Sequence, residues 1–156
     1  AYRVSDPERY GVVETDSTNK VISIEEKPTN PKSNFVITGL YFYDSSVLEK
    51  AKKLKFSNRG ELEITDLNNL YLKEKNLNVK FIDSGSTWLD TGTVDSLYDA
   101  CSLIKTVETR QGIKIGCPEE IAWRNKWIDE EKLHDLAAPL SKSEYGDYLI
   151  KLSSKR

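Results

Sequence analysis

The sequence changes character at Gln111-Gly112, and that break limits the folds open to it. Before it, stretches with strand periodicity alternate with stretches of helical periodicity. After it only short amphipathic helical stretches follow. Such alternation indicates an α/β architecture, with helices laid on a sheet. Residues 10–14 and 21–25 read as strands on either side of turn residues 16–20, and residues 35–43 as a third, strongly apolar and aromatic strand. Apolar spacing predicts helices over 47–54 and 62–74, a buried strand over 79–82, and a long helix over 94–111 capped by Thr93 and stopped by Gly112. In the tail, Cys117-Pro118-Glu119-Glu120 opens a helix with proline at its first position and acids where the helix dipole favours them. Asp129 caps a helix over 130–137, Pro139 ends it, and Ser143 caps a last one over 144–152. Neither a hexapeptide period nor any other internal repeat is present. The expected organisation is therefore one α/β region, 1–112, and a helical tail, 113–156.

Composition removes several function classes. With 23 Lys and Arg against 25 Asp and Glu, the formal net charge is −2, which gives no general attraction to nucleic acid. No apolar run approaches the roughly 20 residues a membrane span needs, and the opening AYRVSDPERYG is not a secretory signal. Cys101 and Cys117 lack metal-site spacing. Cys101 falls at helical spacing with Leu97 and Ile104 and reads as a buried core thiol. Both thiols fit a reducing cytoplasm. The chain opens at Ala1 and contains no Met, as a piece of a longer protein would; removal of an initiator Met is the plain alternative.

Several residues have the chemistry of a binding site. Gly11 and Gly39 stand inside strand-like stretches, where glycine marks either the close approach of another group or a bulge. Glu26-Lys27 closes a strand just before Pro28. A carboxylate can accept hydrogen bonds from sugar hydroxyls and an ammonium can hold a phosphate as a point charge. Adjacent strand residues face opposite ways, so the two share a ligand only if the strand is irregular there; otherwise they are a solvated edge pair. Asp90 lies in the 84–93 loop between the 79–82 strand and the long helix, at the end of the sheet where α/β proteins bind ligands. It suits Mg²⁺, which takes one or two protein carboxylates and completes its shell with water and substrate phosphates. Helix capping is the other reading of Asp90. Trp88 reads as either core or ligand stack. Trp123, Trp127, Tyr145 and Tyr148 in the tail belong to types enriched in interface cores, and packing within the chain accounts for them equally.

In this order the motifs resemble the second half of the sugar-1-phosphate nucleotidyltransferases. They are Tyr10-Gly11-Val12-Val13-Glu14, Ile24-Glu25-Glu26-Lys27-Pro28, Thr38-Gly39-Leu40-Tyr41-Phe42-Tyr43-Asp44, Arg59-Gly60-Glu61-Leu62-Glu63-Ile64-Thr65-Asp66 and Trp88-Leu89-Asp90-Thr91-Gly92. Arg110-Gln111-Gly112, Cys117-Pro118-Glu119-Glu120-Ile121-Ala122 and the short helical tail point to the thymidylyltransferase branch. The resemblance implies the C-terminal half of a Rossmann-like domain, with parallel strands in a mixed sheet and a helical tail. It implies an activity as well, Mg²⁺-dependent attack of glucose 1-phosphate on the α-phosphorus of dTTP, which gives dTDP-glucose for dTDP-rhamnose synthesis.

By the same resemblance Tyr10 and Gly11 border the glucose pocket, Glu26 meets sugar hydroxyls, Lys27 meets the sugar phosphate, and Ile37 lines the pocket. Trp88 flanks the reacting phosphates and Asp90 is one of two Mg²⁺ ligands. Glu120 and Arg124 fall in a secondary nucleotide site associated with feedback inhibition. The tail supports oligomer contacts, in a homotetramer for the family. The family's Gly-rich phosphate loop and second metal carboxylate have no counterpart in these 156 residues, so dTTP binding and turnover are expected only with that other half. Two further readings stand beside this one: a relative using another nucleotide or sugar, and a stand-alone module that binds without catalysis.

Overall fold

The computed structural model describes residues 1–153, which gather into two compact units, Ala1–Trp88 and a second beginning at Leu89. The first unit is built on a four-stranded sheet: β1 (Tyr2–Arg3), β2 (Gly11–Thr15), β3 (Val21–Glu26) and β4 (Phe35–Val36), in the order β1-β4-β2-β3. Asp16 sets the β2–β3 turn by accepting from the backbone N–H groups of Thr18 and Lys20 and from the Thr18 hydroxyl. Asn19 takes the left-handed conformation that turn requires, with φ of 64°. Val13, Val21 and Ile24 form the buried centre of this unit, with Phe35, Ile37, Leu72, Leu77 and Val79 packed against it. Two helices, α1 (Val47–Ala51) and α2 (Ile64–Lys73), follow the sheet.

The α/β class holds, and two expected strands come out differently. All assigned strand pairs are antiparallel. The expected parallel pairing shrinks to one register, in which the Ala1 amine donates to Lys80 O at 2.6 Å and Ala1 O accepts from Ile82 N at 2.8 Å. Those two bonds straddle Phe81 as a parallel ladder does. Residues 79–82 are thus extended but only partly buried, not the buried strand expected. The 35–43 strand is reduced to β4, because β1 offers partners for only two residues and Gly39 turns the backbone with φ of 77°.

The second unit contains α3 (Val94–Gln111), α4 (Pro118–Arg124), α5 (Glu130–Ala137) and α6 (Glu144–Ser153). The expected local signals act where the sequence put them. Thr93 and Ser96 form a reciprocal cap, Gly112 closes α3 in the left-handed region at φ 64°, and Asp129 accepts from Lys132 N at 2.8 Å. Ser143 accepts from Gly146 N at 3.1 Å. Cys117, Leu133, Ala137 and Leu149 form the core here, with Trp123, Tyr145 and Tyr148 packed on it, whereas Trp127 is exposed.

Two expectations are corrected. Cys101 is exposed rather than a core thiol, because Ala100 is the one buried residue on α3 while Leu97 and Ile104 remain in solvent. The long helix, placed with residues 1–112 in the sequence-based division, groups with the tail. Its last turn is fastened there by Glu108, which takes Lys114 Nζ at 2.8 Å and Ile115 N at 2.9 Å. Among the described residues no helix is long and apolar enough to cross a membrane.

Gly146 lies in the first turn of α6, where a Cβ would stand 2.0 Å from the Leu140 carbonyl oxygen. Helix propensity alone makes Gly→Ala favourable by about 1 kcal/mol. Gly146→Ala is therefore expected to reverse that sign, with a loss of about 1–3 kcal/mol from overpacking in urea denaturation. A stabilised variant would show that the α6 contact is loose.

Candidate functional site

Antiparallel pairing of β2 with β3 sets Gly11 opposite Glu26, so one hairpin register decides which carboxylate stands over which glycine. A Cβ at Gly11 would lie 3.1 Å from Thr65 Oγ1, 3.3 Å from Glu26 Oε2 and 3.7 Å from Ile37 Cδ1. Close approach, not a bulge, explains this glycine; the irregularity in the β2–β3 pair falls at Glu14/Thr15. Gly39, by contrast, has open space around it and serves the turn.

Glu26 is the carboxylate at the centre of the cluster. Its Oε2 accepts from Thr65 Oγ1 at 2.5 Å, and Arg59 Nη1 lies 3.8 Å from its Oε1. Thr65 is buried in the first turn of α2. Arg59 is itself held by Glu61 at 2.9 Å and Glu63 at 3.4 Å, and Ser57 Oγ donates to Glu63 Oε1 at 2.8 Å. Among the described residues Oε1 of Glu26 accepts no hydrogen bond, which leaves lone pairs for a ligand's hydroxyls. Burial raises the Tyr41 phenol above its ordinary range, and the nearby charge of Glu26 adds to the effect.

The strand is irregular where the Glu26-Lys27 reading needs it to be. Lys27 has φ of 43° and donates its backbone N–H to Tyr10 O at 3.0 Å. The other non-glycine residues with positive φ are Asn19 in the hairpin turn and Lys75 and Lys126 just past helix ends. Among the described residues Lys27 alone ends a strand this way, and left-handed backbone is rare for such a residue. Strict strand alternation, which would send the two side chains to opposite faces, therefore does not carry through Lys27. Among the described residues Lys27 makes no ion pair and its side chain is exposed, so its ammonium has no carboxylate to compete with a phosphate.

Trp88 completes the cluster from 50 residues away, donating Nε1 to Thr38 O at 3.1 Å. Its ring meets Tyr10 edge-on at 5.3 Å and Tyr2 at 6.1 Å. Ile37 donates its backbone N–H to Gly11 O at 2.8 Å. Tyr10, Gly11, Glu26, Lys27, Ile37 and Trp88 all lie in the first unit, with contacts linking Gly11, Glu26 and Ile37 and linking Tyr10 and Trp88. Thr65, Arg59 and Glu63 were not assigned roles from sequence, although the Arg59–Asp66 motif was noted; nothing local tells a threonine in a first helical turn that it reaches a glutamate 39 residues earlier.

Asp90, Glu120 and Arg124 belong to the second unit. Asp90 is half-buried and accepts from Gly92 N at 3.3 Å, while Thr93 takes the capping role. The described residues contain no group of three or more His, Cys, Asp or Glu able to hold a metal. A Mg²⁺ at Asp90 would therefore take one carboxylate there and draw its other oxygens from water and phosphate, a donor set this ion accepts. Glu120 is buried, with Oε1 accepting Arg124 Nε at 2.7 Å and Oε2 accepting the Tyr148 hydroxyl. Arg124 stays largely exposed, with further N–H donors available.

Residues 1–107 match the nucleotidyl transferase family. The chain belongs to that family. Over 155 residues it is 52% identical to the glucose-1-phosphate thymidylyltransferase of Neisseria meningitidis serogroup A, matching 99% of this chain and 54% of that protein. Similarity to the Mycobacterium tuberculosis H37Rv enzyme of the same name is 52% over 152 residues, 97% of this chain and 53% of the relative. A crystal structure provisionally assigned to the Bacillus anthracis enzyme, in complex with sucrose, is 49% identical and superposes with a TM-score of 0.58 over 65% of this chain and 40% of that one. The chain spans about half the length of the curated relatives it matches.

The crowding at Gly11 can be measured. Gly11→Ala is expected to cost about 1–3 kcal/mol. Adding Thr65→Ala should recover part of the loss, giving a coupling of about 0.5–3 kcal/mol in a double-mutant cycle. Additive losses would mean that Gly11 and Thr65 are not in contact.

Proposed function

We propose that this chain supplies the sugar-phosphate-binding portion of a Mg²⁺-dependent glucose-1-phosphate thymidylyltransferase. The observation that carries this reading is the pairing of Glu26, one oxygen held by Thr65 and the other facing Arg59 at 3.8 Å without a hydrogen bond, with a Lys27 that makes no ion pair among the described residues and that the backbone turns out of the strand. Open carboxylate lone pairs match sugar hydroxyls and the free ammonium matches a phosphate. Tyr10, Ile37 and Trp88 supply the apolar and aromatic wall on which a sugar ring lies. The similarity to thymidylyltransferases at about half identity supports the choice of glucose 1-phosphate and dTTP.

In the reaction a phosphate oxygen of glucose 1-phosphate bonds to the α-phosphorus of dTTP as the bond to pyrophosphate breaks. Lys27 neutralises the attacking phosphate, and Glu26 fixes the sugar so that its phosphate is aimed; positioning of this kind contributes about 7–11 kcal/mol in well-organised sites. When bound, Mg²⁺ would be held by Asp90 and would withdraw charge from the nucleotide phosphates. Glu120 and Arg124 serve a secondary nucleotide site, and the working protein is a cytoplasmic homo-oligomer. The 156 residues alone carry out no transfer, since they match only half of each relative.

Ligand-observed NMR with the isolated chain is expected to show glucose 1-phosphate binding near 1 mM, about −4 kcal/mol, with glucose itself weaker and Lys27→Ala abolishing the signal. Unchanged binding in Lys27→Ala would remove Lys27 from the site. Incubation with dTTP, glucose 1-phosphate and Mg²⁺ should release no pyrophosphate above the protein-free rate, and release above it would overturn the claim that the chain is inactive alone.

A further inference from the structure

Glu119 and Glu120 stand side by side in the first turn of α4, and each accepts a hydroxyl from α6. Tyr145 donates to Glu119 Oε2 at 2.5 Å, and Tyr148, three residues on, donates to Glu120 Oε2. The two bonds are alike in kind but lead to different places. That of Glu119 closes on the core, where Cys117 Sγ lies 3.7 Å from the same oxygen. That of Glu120 leads outward. Glu120 is buried, and its Oε1 accepts Arg124 Nε at 2.7 Å, while the Arg124 side chain is 65% exposed. An ion pair four residues apart on an open helix surface contributes little, because both side chains keep many rotamers. Here one partner cannot turn. With Oε2 held by α6, the Glu120 carboxylate is fixed about its last bond and Oε1 is left facing Arg124. Burial, then the bond to Glu120, raises the Tyr148 phenol above its ordinary range, so it stays protonated as the donor. The choice of nitrogen matters too. A guanidinium carries five N–H donors in a rigid plane. Glu120 takes the one on Nε, and among the described residues the four on Nη1 and Nη2 make no hydrogen bond. That free end is a fork that matches two oxygens of a phosphate.

We propose that Tyr148 is a positioning residue: acting through Glu120, it aims the Arg124 guanidinium into solvent as a fork for the phosphate groups of a nucleotide. The inference rests on the proposed reading of Glu120 and Arg124 as a secondary nucleotide site, and adds to it the residue that sets the arginine. Tyr145 has no part in this. Its bond to Glu119 ties the same two helices together and reaches no arginine, which makes it the matched control for a purely structural role.

The Arg124 Nε–H would be followed by NMR in the ¹⁵N-labelled chain and in its Tyr148→Phe, Tyr145→Phe and Glu120→Gln variants, with dTTP and inorganic pyrophosphate as titrants. In the unmodified chain this N–H is expected to be protected from solvent exchange. Tyr148→Phe should cut the protection at least about tenfold, the scale of one hydrogen bond to a charged group. Tyr145→Phe should leave it intact, although both substitutions lower the melting temperature. Affinity for either titrant should fall about tenfold in Tyr148→Phe and hold in Tyr145→Phe. Arg124→Lys, which keeps the charge but loses the fork, should weaken binding as Tyr148→Phe does. Glu120→Gln, with Tyr148 in place, should also release Arg124, and it carries the test if Tyr148→Phe does not fold. Unchanged protection in Tyr148→Phe or in Glu120→Gln would overturn the proposal, as would an equal loss in Tyr145→Phe. The secondary site is scored apart from this. Release of Arg124 in Tyr148→Phe, with neither titrant bound by the unmodified chain, upholds Tyr148 as the residue that sets Arg124 and sinks the nucleotide reading. Titrant binding with Arg124 unmoved in Tyr148→Phe sinks only the positioning role.

Discussion

The register of the β2–β3 hairpin is the constraint on which the candidate site depends. With Gly11 opposite Glu26, the one residue lacking a side chain lies beneath the one carboxylate that Thr65 grips. A slip of one residue would turn every side chain of β3 to the other face and place Glu25 or Lys27 over the glycine. Two features hold the register. Asp16 clamps the turn with two backbone N–H groups and a hydroxyl, and Val13, Val21 and Ile24 can be buried together in only one alignment. The irregularity at Glu14/Thr15 absorbs its mismatch near the turn, leaving the pairing at the site end regular.

In the second unit the corresponding constraint is polar. Tyr145 donates to Glu119 and Tyr148 to Glu120, joining the first turn of α4 to α6 over the Cys117–Leu133–Leu149 core. Burial, then hydrogen bonding to Cys117 and Glu119, drives the Tyr145 phenol far above its ordinary range, so it stays protonated as the donor. The same bond holds the Glu119 carboxyl below the usual carboxylate range. A carboxyl depressed in this way contributes stability above its unfolded pKa, and that contribution is lost as pH falls through the folded value. The link between α4 and α6 is therefore weakened in acid.

What could be read in the sequence was what local chemistry decides. Thr93, Gly112, Asp129 and Ser143 act within a turn of their own positions, and each did what its residue type favours. The close approach at Gly11 and the irregular strand end at Lys27 were legible for a similar reason, since a glycine inside a strand and a charge pair before a proline are out of place in a regular strand. What failed depended on distant partners. An apolar run such as 35–43 is a strand only where another backbone lies alongside, and that condition holds for two residues. Cys101 had the spacing of a core residue on a helix whose apolar side has almost nothing against it. Thr65 and Arg59 stand in a recognisable motif, but their contact with Glu26 is reached through the tertiary fold alone.

The Gly11–Glu26 hairpin also has a consequence in time. A hairpin of this size closes in about 1–10 μs once its turn is set, and its turn is set by four neighbouring residues. The contacts that finish the cluster span 39 residues for Thr65 and 50 for Trp88, and loop closure must be completed before such contacts stabilise anything. The glycine and the carboxylate are thus in register early, on a surface still open to water. The threonine that fixes the carboxylate and the tryptophan that packs on Tyr10 come later. Until α2 docks, Glu26 is an acid on an open hairpin, so the crowding of Gly11 between Glu26 and Thr65 is completed only in the last steps of folding of the first unit.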